Sequence, residues 1–255
     1  MGVAYNPSII TDGLLLAVDA ANIKSYPGSG SIWNDLSGNG RHGTFAGSPT
    51  FSNQTNSFDG TNWTTFADDT ELDFLNRLPM TYEVFCKPTQ VWPNTSWRGL
   101  IDRESNPGSG RDGYTMWLSH NTSSGAWYFR LERFTQGTQI GPIFSISQSD
   151  VLNKFHHIVG TYDGTLAKIY HNTVLKQTVT NTNNITNTSQ TTSIGVRNGT
   201  YQQSGFTNGN AFIGEIPIAR IYNKALSASE VKQNFEASRS RAVSYTHLTL
   251  PTTYG

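Results

Sequence analysis

The sequence predicts an all-β fold: a two-sheet antiparallel β-sandwich closed by a short C-terminal α-helix. Three observations carry that prediction. Short runs rich in Ile, Val, Phe, Tyr and Thr recur along the chain, separated by turns drawn from its 24 glycines. The apolar run Phe212 to Asn223 reads as a strand, because Ile216, Ile218 and Ile221 do not share one helical face. Directly after it, Ser227 and Glu230 form an S-x-x-E capping box, with Leu226 and Val231 spaced for a hydrophobic staple. Val231 and Phe235, four apart, then give the helix one apolar edge. Many short strands and one terminal helix, without a solenoid period, imply a sandwich with the helix as an accessory.

Composition bounds the function. A chain of 255 residues, 36% hydrophobic, supplies the core of one domain. Formal net charge is zero and only 14% of residues are charged, so no basic field exists to attract nucleic acid or anionic lipid. No run approaches the roughly 20 apolar residues of a membrane span, and no membrane insertion is expected. The first thirteen residues lack the charged and apolar regions of a secretory signal. The single cysteine, Cys86, lies in the alternating stretch Met80 to Lys87 and reads as a core thiol.

In chain order, strands are expected at Leu14 to Ala20, Phe58 to Phe66, Met80 to Lys87, Trp97 to Arg103, Tyr114 to Ser119 and Trp127 to Phe134. Phe155 to Leu175 reads as a hairpin, with Asp163-Gly164 at its tight turn. Residues 178–193 read as an exposed polar loop or edge, followed by a short strand over Ser193 to Arg197. The helix closes the domain near Ala237. Residues 242–255 share no pattern with what precedes them and are set apart as a disordered, non-native-looking tail.

Seven pieces in order resemble the laminin-G-like, concanavalin A-like jelly-roll domains: GLLLAVDA (13–20), DLSGNGRHGT (35–44), SFDGTN (57–62), MTYEVFCKP (80–88), FHHIVGTYDGTLAKIYHN (155–172), TSIGVRNG (192–199) and FIGEIPIARIYNKALSASEV (212–231). The resemblance implies two packed antiparallel sheets, one of them concave, over residues 13–241 behind an N-terminal arm, 1–12. The N-terminal wording is similar to the variant seen in virion and tail-associated proteins of environmental bacteriophages. That implies a virion-surface or extracellular location without its own signal peptide, and partners among cell-surface polysaccharides, glycoprotein glycans and other virion proteins.

Concanavalin A-like glucanases carry E-x-D-x-x-E on one strand, with its acids aimed at the substrate. Here Glu71 and Asp73 begin the pattern, but Asn76 stands at the acid/base position, and an amide cannot exchange a proton there. A non-catalytic role is expected. Asp35, Ser37, Asn39 and Gly40 resemble the first half of an EF-hand, but Ala46 occupies the position of the bidentate Glu. Two readings remain: a non-EF calcium site on Asp35 and Asn39, or an Asx-type turn. No cofactor is required. Where the family often carries an Asp in its closing strand this chain has Pro217.

His156 and His157 are adjacent on a strand and face opposite sides, one expected to pack inward and the other to be solvated. Sugar recognition uses flat aromatic faces fringed by amides and hydroxyls. Trp117 and Trp127, inside alternating strands, read as core. Trp92, beside Pro93 in a turn-like segment, and Tyr201, in the loop GTYQQSG, are the ligand-contact candidates.

Overall fold

The structure is a computed structural model that describes residues 7–92, 97–105, 112–135, 138–186, 190–197 and 210–242. Among these residues the strands form two antiparallel sheets. The eight-stranded sheet carries β1 (Leu14–Asp19), β4 (Thr50–Ser52), β5 (Thr55–Asp59), β7 (Met80–Pro88), β13 (His156–Tyr162), β14 (Leu166–His171), β15 (Val174–Thr180) and β17 (Ile213–Tyr222). Its order is β15-β14-β13-β7-β17-β5-β4, with β1 also paired to β17. The nine-stranded sheet carries β2 (Ile32–Trp33), β3 (Gly43–Ala46), β6 (Trp63–Phe66), β8 (Trp97–Ser105), β9 (Asp112–Asn121), β10 (Ala126–Thr135), β11 (Thr138–Ile140), β12 (Ile143–Ile146) and β16 (Thr192–Ile194). Its order is β11-β10-β9-β8-β16-β6-β3-β2, with β12 also on β10. A one-turn α1 (Gln148–Val151) and the terminal α2 (Ala228–Ala242) complete the fold.

The strand period places the core. In β9, Tyr114, Met116 and Leu118 join the buried cluster between the sheets, together with Tyr82, Val84 and Cys86 from β7 and Ile216, Ala219 and Ile221 from β17. Burial lifts the Cys86 thiol well above its ordinary range, which suits an inert core sulfur.

The outer face of the eight-stranded sheet is covered by α2. Ser227 Oγ accepts from the Glu230 backbone N–H while Glu230 Oε2 accepts from the Ser227 N–H, the reciprocal cap read from the sequence. Leu226 and Val231 pack with Val159, Tyr170 and Tyr222, and the Phe235 ring stacks on Phe85 at 6.1 Å. Under the helix, Glu83 Oε1 takes hydrogen bonds from His157 Nε2 (2.8 Å) and Arg220 Nη1 (3.0 Å), and Oε2 takes one from Asn234 Nδ2 (2.7 Å). Burial alone would raise this carboxyl; Arg220, His157 and Asn234 overcome it and hold Glu83 below its usual range. The N-terminal segment joins the same patch, since Ile10 donates its N–H to Asn234 Oδ1 and accepts from the Tyr222 hydroxyl.

Local chemistry redraws three expectations. The single strand expected over 58–66 is two strands, turned at Gly60 with φ +89°. The stretch from Leu166 to Leu175 breaks at Asn172 (φ 47°) and Thr173 (φ 74°), both left-handed as a two-residue hairpin demands, so β15 begins at Val174 and runs on to Thr180. At Asp163-Gly164 only the glycine is left-handed, and Asp163 Oδ1 holds the turn by accepting from the N–H groups of Thr165 and Leu166. Pro217 lies in the irregularity between Glu215 and Ile218, where no ladder hydrogen bond is needed from it.

Candidate functional site

The outer face of the nine-stranded sheet can be read from its register, because residues directly opposite on antiparallel strands point the same way. One row runs Tyr128, Ser119, Trp97, and the next runs Arg130, Trp117, Gly99. A third runs Glu132, Thr115, Asp102, Ser193, Thr65, and a fourth runs Phe134, Gly113, Glu104. The face thus assembles acids, hydroxyls and aromatic rings from strands scattered through the chain.

One crossing of the chain completes it. After β16 the backbone turns at Gly195 (φ +85°), and a Cβ on Gly99 would stand only 2.2 Å from the Val196 carbonyl. Only hydrogen fits at Gly99, which lets the Val196–Arg197 peptide lie close over the strand. Arg197 then reaches across the face. Its Nε donates to Glu104 Oε2 at 3.2 Å, and its Nη2 stands 3.5 Å from Glu132 Oε2. The guanidinium lies 5.4 Å from the ring centres of both Trp97 and Phe134, in cation–π range. Trp97 meets Trp117 edge to face at 6.4 Å, and Arg130 approaches the Trp117 ring at 5.8 Å.

The polar groups of this face are incompletely matched. Glu132 is fully buried, with Arg130 Nη1 2.8 Å from Oε1 but off the angle for a hydrogen bond. Among the described residues, both Glu132 oxygens, Thr115 Oγ1, Ser193 Oγ, Trp117 Nε1 and Arg130 Nε lack a hydrogen-bond partner. A buried polar atom without a partner costs roughly 1–3 kcal/mol, so this face is held less tightly by directed bonds than its burial alone suggests.

The residues singled out by sequence fall differently. Trp92 is not an exposed platform: it is fully buried, edge-on to Trp127 at 4.6 Å and capped by the Arg98 guanidinium at 4.8 Å. Arg98 covers the indole that the adjacent proline seemed to leave open, and burial lowers Arg98 itself to about 10. Tyr201 lies outside the described residues. Trp127 is core as expected, whereas Trp117, though buried, belongs to the outer face.

Asp35 and Asn39 take the Asx-type form. Asp35 Oδ1 accepts from the N–H groups of Ala17 and Ser37, and Oδ2 accepts from Ser37 Oγ and the Arg41 N–H. Asn39 turns its NH2 group to the Leu15 carbonyl at 2.9 Å. A carboxylate already accepting four donors organises a loop instead of offering a free oxygen pair to calcium. Among the described residues no three His, Cys, Asp or Glu are grouped to hold a metal ion.

Glu71 lies on a single 3-10 turn, Thr70–Leu72, which Asp73 ends, so the glucanase-like acids do not share a strand face. Glu71 pairs with Arg41 and Asp73 with the buried Arg103. Of the paired histidines, neither is solvated: His157 is locked to Glu83, and His156 bonds His171 and the Val151 carbonyl.

Sequence reasoning missed Trp97. It is 46% exposed and stands at the head of β8, alternating with Gly99. That alternation, aromatic then glycine on one face, was the available signal.

The fold and this face define a two-sheet sandwich of the concanavalin A-like class. The family model described as the concanavalin A-like lectin/glucanases superfamily matches residues 58–232, more than half of the chain, and the chain belongs to that family. No curated protein sequence matches it. Among solved structures it is similar to domain 4 of a GH43 extracellular arabinanase from Geobacillus stearothermophilus in complex with arabinotriose, with 19% identity and a TM-score of 0.54 over 87% of this chain and 97% of that one. It is also similar to a botulinum neurotoxin type C structure whose description concerns interaction with two ganglioside molecules (14% identity, TM-score 0.65, 89% of this chain and 52% of that one). The binding domain of Paraclostridial Mosquitocidal Protein 1 matches at 18% identity and TM-score 0.60 over 88% of this chain and 52% of that one. The chain spans about half the length of the two toxin domains. At these identities the likeness shows the fold.

Proposed function

We propose that this domain is a non-catalytic binding module that takes a glycan on the outer face of its nine-stranded sheet. The observation that carries the reading is Trp97, a half-exposed indole braced edge-on by Trp117 and backed by Arg197, in one row with Ser119 and Tyr128. A flat ring held rigid from behind suits the apolar face of a sugar, and the partly exposed Tyr128 hydroxyl and Arg130 guanidinium on the same face suit its hydroxyls. The arabinotriose complex of the arabinanase domain supports this reading, because that domain matches this chain over nearly its whole length. The ganglioside description belongs to a chain twice as long and weighs less. We read the glycan as a cell-surface polysaccharide or glycoprotein glycan. We read the setting as a phage virion, among other virion proteins, on the resemblance of the N-terminal segment alone.

Hydrolysis is a poorer reading of the same face. A glycosidase needs one of two facing carboxyls to deliver a proton. Here the Arg197 guanidinium stands between the two, 3.2 Å from Glu104 and 3.5 Å from Glu132, and occupies the space between the carboxyls.

The test is a glycan array with the wild-type domain, followed by calorimetry on Trp97→Ala with the best hit. Loss of one stacking ring is expected to weaken binding by about 1.4–3 kcal/mol, roughly ten- to 150-fold. An array without a hit would favour a purely structural decoration domain, and an unchanged affinity in the variant would move the site elsewhere. Release of reducing ends from any bound glycan would overturn the non-catalytic reading.

A further inference from the structure

A cavity lies away from the Trp97 face, where β12 and α1 meet β13, β14 and β15. It has a volume of about 360 Å³, and its lining includes Phe144, Asp150, Lys154, His156, His171 and Lys176. The tautomers of its two histidines follow from one carbonyl. His156 Nε2 is 2.9 Å from the Val151 oxygen, which can only accept, so Nε2 carries the proton. In the neutral ring His156 Nδ1 is then an acceptor, and His171 Nε2, 2.9 Å away, must donate to it. That leaves the lone pair of His171 Nδ1, to which no described residue donates and which is not sealed from solvent.

The charges around this lone pair are unequal. Lys154 is 3.3 Å from Asp150, which also accepts from Ser147, so that pair is internally balanced. Among the described residues Lys176 has no carboxylate partner, and it sits 5.9 Å from the Phe144 ring. Phe144 is itself held by near-parallel stacking on His171 (5.2 Å) and Phe129 (5.4 Å), which fixes its plane. The cavity therefore offers three features: a hydrogen-bond acceptor, an ammonium on an exposed lysine and a rigid aromatic ring.

We propose that this cavity is a second sugar site, selective for a carboxylate-bearing sugar such as a uronic acid. A hydroxyl would donate to His171 Nδ1, the ring's C–H face would lie on Phe144, and the carboxylate would meet Lys176. A neutral sugar satisfies the first two features and leaves the ammonium unused. The proposal does not rest on the Trp97 face.

The experiment is calorimetry of the full chain with a galacturonate tetramer and, in parallel, with galactotetraose, its neutral counterpart. Saturable binding of the acidic tetramer is expected, at least ten-fold tighter than the neutral one. Lys176→Gln, at an exposed position, is expected to abolish that preference with the fold intact, while Lys232→Gln on α2 leaves it unchanged. Imidazole nitrogen NMR of the free protein is expected to show His171 protonated at Nε2 only. No saturable binding, equal affinity for both tetramers, or equal losses in Lys176→Gln and Lys232→Gln would overturn the proposal. A proton on His171 Nδ1 in the free protein would overturn it as well.

Discussion

Each outer face of this sandwich buries a glutamate against arginine, but the two faces are finished differently. Under α2, Glu83 has both oxygens engaged, by His157, Arg220 and Asn234, and Arg220 passes a further hydrogen bond to Ser238 of the helix. On the opposite face Glu132 is equally buried, yet it is held only by the proximity of Arg130 and Arg197, without a directed hydrogen bond. Directed hydrogen bonds fix the geometry of a buried ion pair, whereas charge proximity alone does not. The first face is a clamp of directed bonds, and the second, among the described residues, is held by proximity.

The largest expected effect tests that contrast directly. Glu83→Gln removes the one charge that balances buried Arg220, and it should destabilise the domain by roughly 3–5 kcal/mol in urea unfolding. Glu132→Gln keeps the same shape, breaks no directed hydrogen bond and should change stability by about 1 kcal/mol or less. Equal losses in the two variants would erase the distinction between the faces.

Next comes pH, which separates both faces from the histidine pair. Burial, reinforced by His156, Lys176 and His157, pushes His171 down to about 4, and burial also lowers His156. Such a base, with an unfolded value near 6.5, stabilises the fold above that pH. The contribution drains away as pH falls from about 6.5 towards 4. For the partly exposed His171 a loss on the order of 2 kcal/mol is expected between pH 7.5 and 4.5, and His171→Phe should flatten that part of the profile. A wild-type profile level over this interval would contradict it.

Ser227→Ala should cost about 1 kcal/mol, since it removes only the N-cap of α2. Its effect should appear as faster amide exchange in the helix and leave the Trp97 face unaltered. Smallest of all, a chelator should leave the melting temperature unchanged, because Asp35 already has four donors from its loop and β1; a drop would restore calcium as a native ligand by mass action.

What the sequence made legible is what depends on near neighbours. The cap of α2 needs only Ser227 and Glu230, and the inward alternation of Met80 to Cys86 needs only the strand period. The two-sheet sandwich and its helix followed from such signals, reinforced by the ordered family pieces. The site residues depend on contacts across the fold. Trp92 looked exposed because Pro93 marks a turn, but the side chain that covers it, Arg98, is aimed there only once β8 has formed. His156 and His171 are fifteen residues apart and meet only because β13 and β14 pair. Arg197 reaches Glu104 and Glu132 through a crossing that the missing Cβ of Gly99 allows, and no local pattern announces it.

The bond between Ile10 and Asn234 has a consequence for how the domain is held together. It ties the incoming chain to the outgoing helix on the same side of the sandwich, the side opposite Trp97. The described start of the chain and α2 therefore brace one another on that side, and loosening either should loosen both while the Trp97 face stays as it is.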